Sequence, residues 1–473
     1  MNGNSIKVEK HLRYLGITLD FKLSWAPHIE HISSRTGLIF QAFAQVARRD
    51  WGLSPEALST IYDGIFIPIA TYGCGTWGSA ISKVHIRRKL VSAQRRALLL
   101  LTKAYRTTSN VSLQAIARKL PIDIEISMKT KMQQAKWGTN IQIGDITIES
   151  ADIERPHPFG DTITPTYNFS SSWNNLNNAS IQIYTDGSGI DGGVGCAYVV
   201  YDNSEEIHNQ KFRLHPQCNV FQAELLAISK ATNWINNTYS NFKIDIYTDS
   251  LSALKMIYSI KLHPLAVEIR NNICVSNNNI QIFWVRSHQG MEGNERADAL
   301  AKEAALDPNI SYDYGKISQG TLKRLLREEA IDTWQSHWNE LGHHIIKQFI
   351  PDLRQHNKIK WFTPDHYTTQ FLSNHGKFAH YLARFVNRTS DECPTCGVRD
   401  GANHYLYDCT ITAKERTEMS LLLNEINIDW PCDLTDIWKS QEIFHAFKRL
   451  AKKTILTNNQ LLQDGAVGGP NSS

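Results

Sequence analysis

Asp186 and Asp249 each close a copy of nearly the same hexamer, Ile181-Gln-Ile-Tyr-Thr-Asp186 and Ile244-Asp-Ile-Tyr-Thr-Asp249. In both, β-forming residues alternate with period two and a turn former follows at once, so each hexamer predicts a strand that ends on a carboxylate. If the two strands run parallel as neighbours, their identical phase brings both aspartates out at one level, at the carboxyl ends where open α/β sheets place ligands. Two carboxylates so close repel each other unless a cation lies between them. Glu224 interrupts the otherwise small or apolar run Val220 to Ile228, which predicts a helix with Asn219 as N-cap. Asp298 sits among alanines in a second helical pattern, Gly293 to Lys302, behind the strand Ile280 to Val285. Hard oxygen ligands of this kind suit magnesium or manganese.

Between that strand and the Asp298 helix lies Arg286-Ser-His288-Gln-Gly290, and the helix opens Gly293-Asn-Glu-Arg-Ala-Asp298. A strand-ending Asp, a helical Glu, a second strand-ending Asp and a His loop before a Gly-Asn-Glu-x-Ala-Asp helix, in this order, resemble ribonuclease H of the type 1 family over about Ile181 to Leu306. The resemblance implies cleavage of the RNA strand of RNA–DNA hybrids. It implies two magnesium ions, with manganese as substitute, held by Asp186, Glu224, Asp249 and Asp298. Asp186 would bridge both ions, Glu224 and Asp249 would complete one site, and Asp298 the other. His288 becomes a mobile proton carrier or product-release residue, while Asn294 and Glu295 read as helix-start residues. A strand-ending aspartate alone is more often a turn or helix cap; the family order of four acids is what favours the metal. One departure is Val285-Arg-Ser before His288, where many cellular members have Val-Pro-Gly.

The elements that must position these groups form an α/β domain. Asp191-Gly-Gly193 turns the first strand into Val194 to Tyr201, and a third strand follows near Ile207 to Leu214. The first three strands are expected to be antiparallel, and the helix-connected fourth and fifth parallel to the first. The result is a mixed, ribonuclease H-like five-stranded sheet flanked by helices.

A second metal constellation is Cys393-Pro-Thr-Cys396-Gly397, then His404 and Cys409. Three thiolates and an imidazole at that spacing close a tetrahedral zinc shell, with Gly397 permitting the turn. The motif resembles the carboxy-terminal zinc knuckle of non-LTR retroelements, which implies single-stranded RNA or DNA as a partner. Tyr405 and Tyr407 either stack on unpaired bases or pack over the knuckle.

The net charge of +4 hides an asymmetry: residues 1–150 carry 20 Lys and Arg against 10 Asp and Glu, and residues 180–306 carry 10 against 13. The basic front predicts a nucleic-acid backbone as partner, with Arg87, Arg88, Lys89, Arg95 and Arg96 on one helical pattern as candidates, against the plainer reading of a solvated face. After a short strand at 14–19, Leu15 to Asp20, Tyr72 to Trp77, and Tyr105 to Thr108 leading to Leu120-Pro-Ile-Asp123 resemble the primer-grip and thumb region of LINE-type reverse transcriptases. The paired aspartates that such polymerases use are absent, since no Asp-Asp dipeptide occurs. The expectation is therefore a truncated retrotransposon polyprotein without its palm, with a polymerase in trans left open as a partner.

Expected domains are 1–140 thumb-like and helical, 141–179 linker, 180–306 nuclease, 307–390 helical, 391–411 knuckle, and 412–473 a helical segment with a disordered tail. Trp334 and Trp338, one turn apart, read as core. No run of 18 apolar residues exists to cross a bilayer. Five of the eight cysteines are scattered without framework spacing, which favours an intracellular, reducing compartment, nucleus or cytoplasm. The competing class is a retroelement remnant that holds nucleic acid through its basic front and knuckle without cutting.

Overall fold

The computed structural model describes residues 9–47, 52–158, 179–287, 290–386 and 390–467. The described residues divide into two compact units, one within 134–326 and one built from 1–133 together with 327–473.

In the second of these, β1 (His11–Tyr14) and β2 (Ile17–Asp20) form an antiparallel hairpin where a single strand was expected. Leu15 and Gly16 between them have φ of 46° and 83°, the pair of positive values that a two-residue hairpin loop requires. The helix Val84–Thr102 buries Ile86, Leu90, Ala93, Ala97, Leu98 and Leu101 at helical spacing and leaves Arg87, Arg88, Lys89 and Arg96 exposed. Trp334 and Trp338 are buried, as their spacing implies, with Phe349, Phe362, Phe371, Phe378 and Phe447. That same core takes in Ala115, Ile116, Cys393, Tyr405 and Cys409. The segments drawn as thumb-like, helical, knuckle and carboxy-terminal therefore share a core. A knuckle of some twenty residues has too little apolar volume to fold around its own interior and borrows one. Its neighbour, the helix Gln441–Val467, runs past Gln463, where a disordered tail was expected, because the buried stripe Ile443, Phe444, Phe447, Leu450 and Ile455 anchors it. Residues 468–473 lie outside the described residues.

The other unit opens with the hairpin of β3 (Ile141–Ile143) and β4 (Ile146–Ile148) and a short turn at Ser150–Asp152, which replace part of the expected linker. The Ser- and Asn-rich part of that linker, 159–178, is outside the described residues. A mixed sheet follows: β5 (Ile181–Ile190), β6 (Gly193–Asp202) and β7 (Glu205–Leu214) are antiparallel, while β8 (Lys243–Thr248) is parallel to β5 and β9 (Asn279–Trp284) parallel to β8. Five strands were expected and a sixth is present. β10 (Tyr312–Tyr314) returns to the β7 edge, where the Tyr314 carbonyl accepts from His215 N at 2.8 Å and the Arg213 guanidinium lies over the Tyr312 ring. Such cover keeps an edge from pairing elsewhere.

Ile181, Ile183, Ile244 and Ile246 bury one face of the sheet beneath the helices Val220–Thr238 and Pro264–Val275. On the opposite face the helix Glu292–Leu306 lies against Ala197, Val199 and Tyr201. Its alanines explain themselves there. A Cβ added at Gly195 would stand 2.6 Å from the Ala301 carbonyl oxygen, so helix and strand meet backbone to backbone. Among the described residues no helix is long and apolar enough to cross a membrane.

Gly195→Ala should accordingly push the Asp298 helix off the sheet and cost about 1–3 kcal/mol, the range for overpacking a tight contact. Urea unfolding checks it, and an unchanged midpoint would mean that the helix does not sit this close.

Candidate active site

β5 and β8 pair in register from Ile181 beside Ile244 to Thr185 beside Thr248. Asp186 and Asp249 are the next residues on each strand, so the repeated phase brings them out side by side. The Asp249 backbone is pinned through its carbonyl, which accepts from Trp284 Nε1 at 2.8 Å and from Leu251 N at 3.1 Å. Glu224 arrives from the helix Val220–Thr238, whose start is a capping box: Asn219 Oδ1 accepts from Gln222 N at 3.0 Å, and Gln222 Oε1 from Asn219 N at 3.1 Å. Only a glycine at 187 lets that helix come in, because a Cβ there would stand 2.5 Å from Glu224 N. One oxygen from each of Asp186, Glu224 and Asp249 lies within 4.8 Å of the others.

Asp186 and Glu224 are buried, and Glu224 Oε2 has no hydrogen-bond partner. Burial pushes the Glu224 carboxyl well above the usual range, and the charges of Asp186 and Asp249 push it the same way. Burial, then Asp249 and Asp298, raise Asp186 to about 7. The bare triad is electrostatically uncomfortable and closes only on protons or a cation. Hard, crowded, partly unpaired carboxylate oxygens fit a divalent ion such as magnesium or manganese.

Asp298 stands outside this close group. Its carboxylate pairs with Lys302 Nζ at 2.6 Å, one turn farther along the same helix, and adds negative potential at Asp186. His288 lies outside the described residues. Asn294, read from sequence as a helix-start residue, is buried and its Nδ2 donates to Asp249 Oδ2 at 3.5 Å. It is four residues before Asp298 and thus on the same helical face, a spacing that could have marked it as a neighbour of the acids.

The second cluster also assembles. One donor atom from each of Cys393, Cys396, His404 and Cys409 lies within 4.8 Å of the others. The Cys393–Cys409 and Cys396–Cys409 sulfur separations are 3.9 and 3.8 Å. Tetrahedral zinc with bonds of about 2.3 Å sets an edge of about 3.8 Å, far longer than a disulfide. His404 Nε2 is buried without a hydrogen-bond partner, and Gly397 makes the turn at φ 69°. These donors fit zinc. Both tyrosines pack: Tyr405 is fully buried with its hydroxyl 3.1 Å from Asp400 Oδ2, and Tyr407 donates to the Cys432 carbonyl at 3.1 Å.

The basic helix splits. Lys89 is paired with Glu30, and Arg95 is spent inside the unit on Asn110 Oδ1, at 2.6 Å, and on the Arg106 carbonyl. Arg87, Arg88 and Arg96 remain exposed.

Over residues 178–306 the sequence matches the RNase H family. This chain carries a ribonuclease H domain. It is also homologous to Pol polyproteins of R1 non-LTR retrotransposons. It is 30% identical over 148 residues to the retrovirus-related Pol polyprotein from type-1 retrotransposable element R1 4 of Nasonia vitripennis, covering 31% of this chain and 37% of that protein. It is 33% identical over 143 residues to a 115 kDa protein in type-1 retrotransposable element R1DM of Drosophila melanogaster, covering 30% of this chain and 14% of that protein. A Ribonuclease H of Campylobacter jejuni is 29% identical over 138 residues, 27% of this chain and 91% of that protein. The chain thus spans well under half the length of the two retroelement relatives.

The raised acids of the ribonuclease H domain fix the sign of a pH effect. A carboxyl whose folded pKa is about 7 against a usual 3.8 favours folding at low pH, and that contribution is lost as pH rises through 7. In chelator, the melting temperature should therefore fall between about pH 5 and pH 8. Scanning calorimetry of the chain and of an Asp186→Asn, Glu224→Gln double variant checks this, because the variant should lose that slope.

Proposed function

We propose that this chain is a metal-dependent endoribonuclease that cuts the RNA strand of RNA–DNA hybrids. The observation that carries the reading is the meeting of Asp186, Glu224 and Asp249 at the carboxyl end of two parallel strands, with one oxygen of each within 4.8 Å of the others. The domain's relatives, Pol polyproteins and a ribonuclease H by name, support it.

In this reading the triad and Asp298 hold two magnesium ions, for which manganese can substitute. When bound, the ions supply an activated water and stabilise the charge of the leaving 3′ oxygen during in-line displacement. The chain's own residues do the rest. Asp186 would serve both ions, with Glu224 and Asp249 beside it and Asp298 near enough for its charge to act on it. Lys302 pairs with Asp298 and steadies its carboxylate, and Asn294 holds Asp249 through Oδ2. Burial keeps water from competing for Glu224. His288 moves a proton at the leaving oxygen, and contacts to consecutive 2′-hydroxyls choose the RNA strand. Arg87, Arg88 and Arg96 are the exposed candidates for phosphate contacts. The sequence holds no Asp-Asp pair, so polymerization is not part of the proposal.

Cys393, Cys396, His404 and Cys409 hold one zinc ion in the same reading. It ties the chain into a core that already contains two of its ligands, and single-stranded nucleic acid is its proposed partner.

Asp186→Asn should abolish magnesium-dependent cleavage of a hybrid labelled on its RNA strand while leaving hybrid binding in place; wild-type turnover in that variant would sink the assignment. Asn294→Ala should lower the rate about 10- to 100-fold, the usual effect of removing a partner that orients a ligand. Metal analysis should find one zinc per chain, lost in Cys396→Ser, with a lowered melting temperature. A chain that melts identically with and without chelator would count against the knuckle.

A further inference from the structure

Glu224 Oε2 has no hydrogen-bond partner and its carboxylate takes only a backbone bond at Gly187 among the causes acting on it, so its place opposite Asp186 and Asp249 depends on where the first turn of its helix lies against that strand. That turn is held from outside the family match. Glu154, from the segment before the domain, is buried beside it, and Gln222 Nε2 donates to Glu154 Oε1 at 2.9 Å. Gln222 is the completely buried third residue of the capping box, two positions before Glu224.

Glu154 is itself over-determined. Tyr314 donates its hydroxyl to the same Oε1 at 2.6 Å, and His263 Nε2 lies 3.2 Å from Oε2. Its backbone N donates to the Ile317 carbonyl at 2.8 Å, and its carbonyl accepts from Gln319 Nε2 at 3.1 Å. Ile317 N in turn donates to the Asp152 carbonyl at 2.7 Å, closing a two-way backbone bridge. The segment after the domain grips the same turn. Gln222 Nε2 also donates to the Lys316 carbonyl at 3.0 Å, and Asn219 Nδ2 donates to Ser318 Oγ at 3.0 Å. Two segments flanking residues 178–306 thus form a clasp on the cap of the helix that carries Glu224. Burial alone would raise the Glu154 carboxyl, yet the bonds from His263 and Tyr314 outweigh it, and the group stays ionised as a strong acceptor.

We propose that Glu154 is a positioning residue of the nuclease centre, fixing the first turn of the Glu224 helix through Gln222 and so setting the metal affinity of the acidic triad. The inference rests on the ribonuclease reading above. It places the functional boundaries of the domain beyond the family match on both sides, at the Ile153–Ile317 bridge.

The test uses the full chain, loaded with zinc, and follows manganese binding by electron paramagnetic resonance with no substrate present. Only binding that Asp186→Asn removes is counted. Glu154→Ala, and Glu154→Met to keep volume without an acceptor, should weaken manganese binding about 10- to 100-fold, as loss of a partner behind a ligand does. Glu154→Gln, which keeps an acceptor for Gln222 and Tyr314, should stay within a few-fold of wild type. Hydrogen exchange should speed up at the first turn of the Glu224 helix in Ala and Met but not in Gln. Wild-type affinity in a folded Glu154→Ala or Glu154→Met overturns the inference alone. No manganese bound by the wild type overturns the ribonuclease reading along with it. Failure of both Ala and Met to fold also overturns it, because a positioning role requires a fold that survives loss of the bond.

Discussion

Repulsion among three buried or half-buried carboxylates is the constraint on which the nuclease unit turns. A chain does not normally gather Asp186, Glu224 and Asp249 within 4.8 Å while leaving a Glu224 oxygen unpaired, because each ionised neighbour raises the cost of the next. What makes the arrangement tolerable is rigidity around it. The strands are locked in register by a full ladder of Ile, Tyr and Thr pairs, and the Asp249 backbone is bonded to the Trp284 indole. The two helices approach so closely that Gly187 and Gly195 have no room for a methyl group. The fold's stability, drawn from the apolar faces of the sheet, is spent in part on holding like charges together. That is the pattern expected where local consistency gives way to function.

Much of this was legible because the information is local. The period-two hexamers name the strands, and their identical phase names the register, so the side-by-side aspartates follow from arithmetic once the strands are parallel. Glu224 stands out because a bare carboxylate in an apolar helical run needs a reason. The Cys-x2-Cys-x7-His-x4-Cys spacing is likewise local chemistry, and its four donors do converge.

What sequence could not show depends on contacts between distant segments. Tyr312–Tyr314 has no strand signature of its own and pairs only because the β7 edge is there to receive it. The run at 14–19 looked like one strand because its apolar pattern continues through Leu15-Gly16, while the positive φ of that pair decides for a hairpin. Arg95 looked like its basic neighbours, but its guanidinium turns inward to Asn110 and the Arg106 carbonyl. The expected linker hides the least predictable element, since a single glutamate in a Pro-flanked stretch carries no pattern, yet Glu154 collects three side-chain partners from three different parts of the unit.

The knuckle shows the same economy from the other side. Small zinc modules usually rely on the metal because they have little interior, whereas the Cys393–Cys409 segment is packed into a larger helical core. Cys393 and Cys409 lie among phenylalanines, and the Tyr405 hydroxyl reaches the Cys393 sulfur at 3.8 Å and Asn458 Oδ1 of the last helix at 3.2 Å. Asp400 accepts from the backbone N of Ala379 and of His380, at 2.6 and 2.7 Å, and from the Tyr405 hydroxyl. The groups behind the cysteine sulfurs are therefore the same groups that dock the surrounding helices. Tyr405 joins the cluster to the phenylalanine core, its ring 5.9 Å from that of Phe378, so a change at Cys393 acts on a side chain that also packs that core. That coupling makes the cysteines structural members of a helical core first, with any contact to nucleic acid left to the exposed side chains around them.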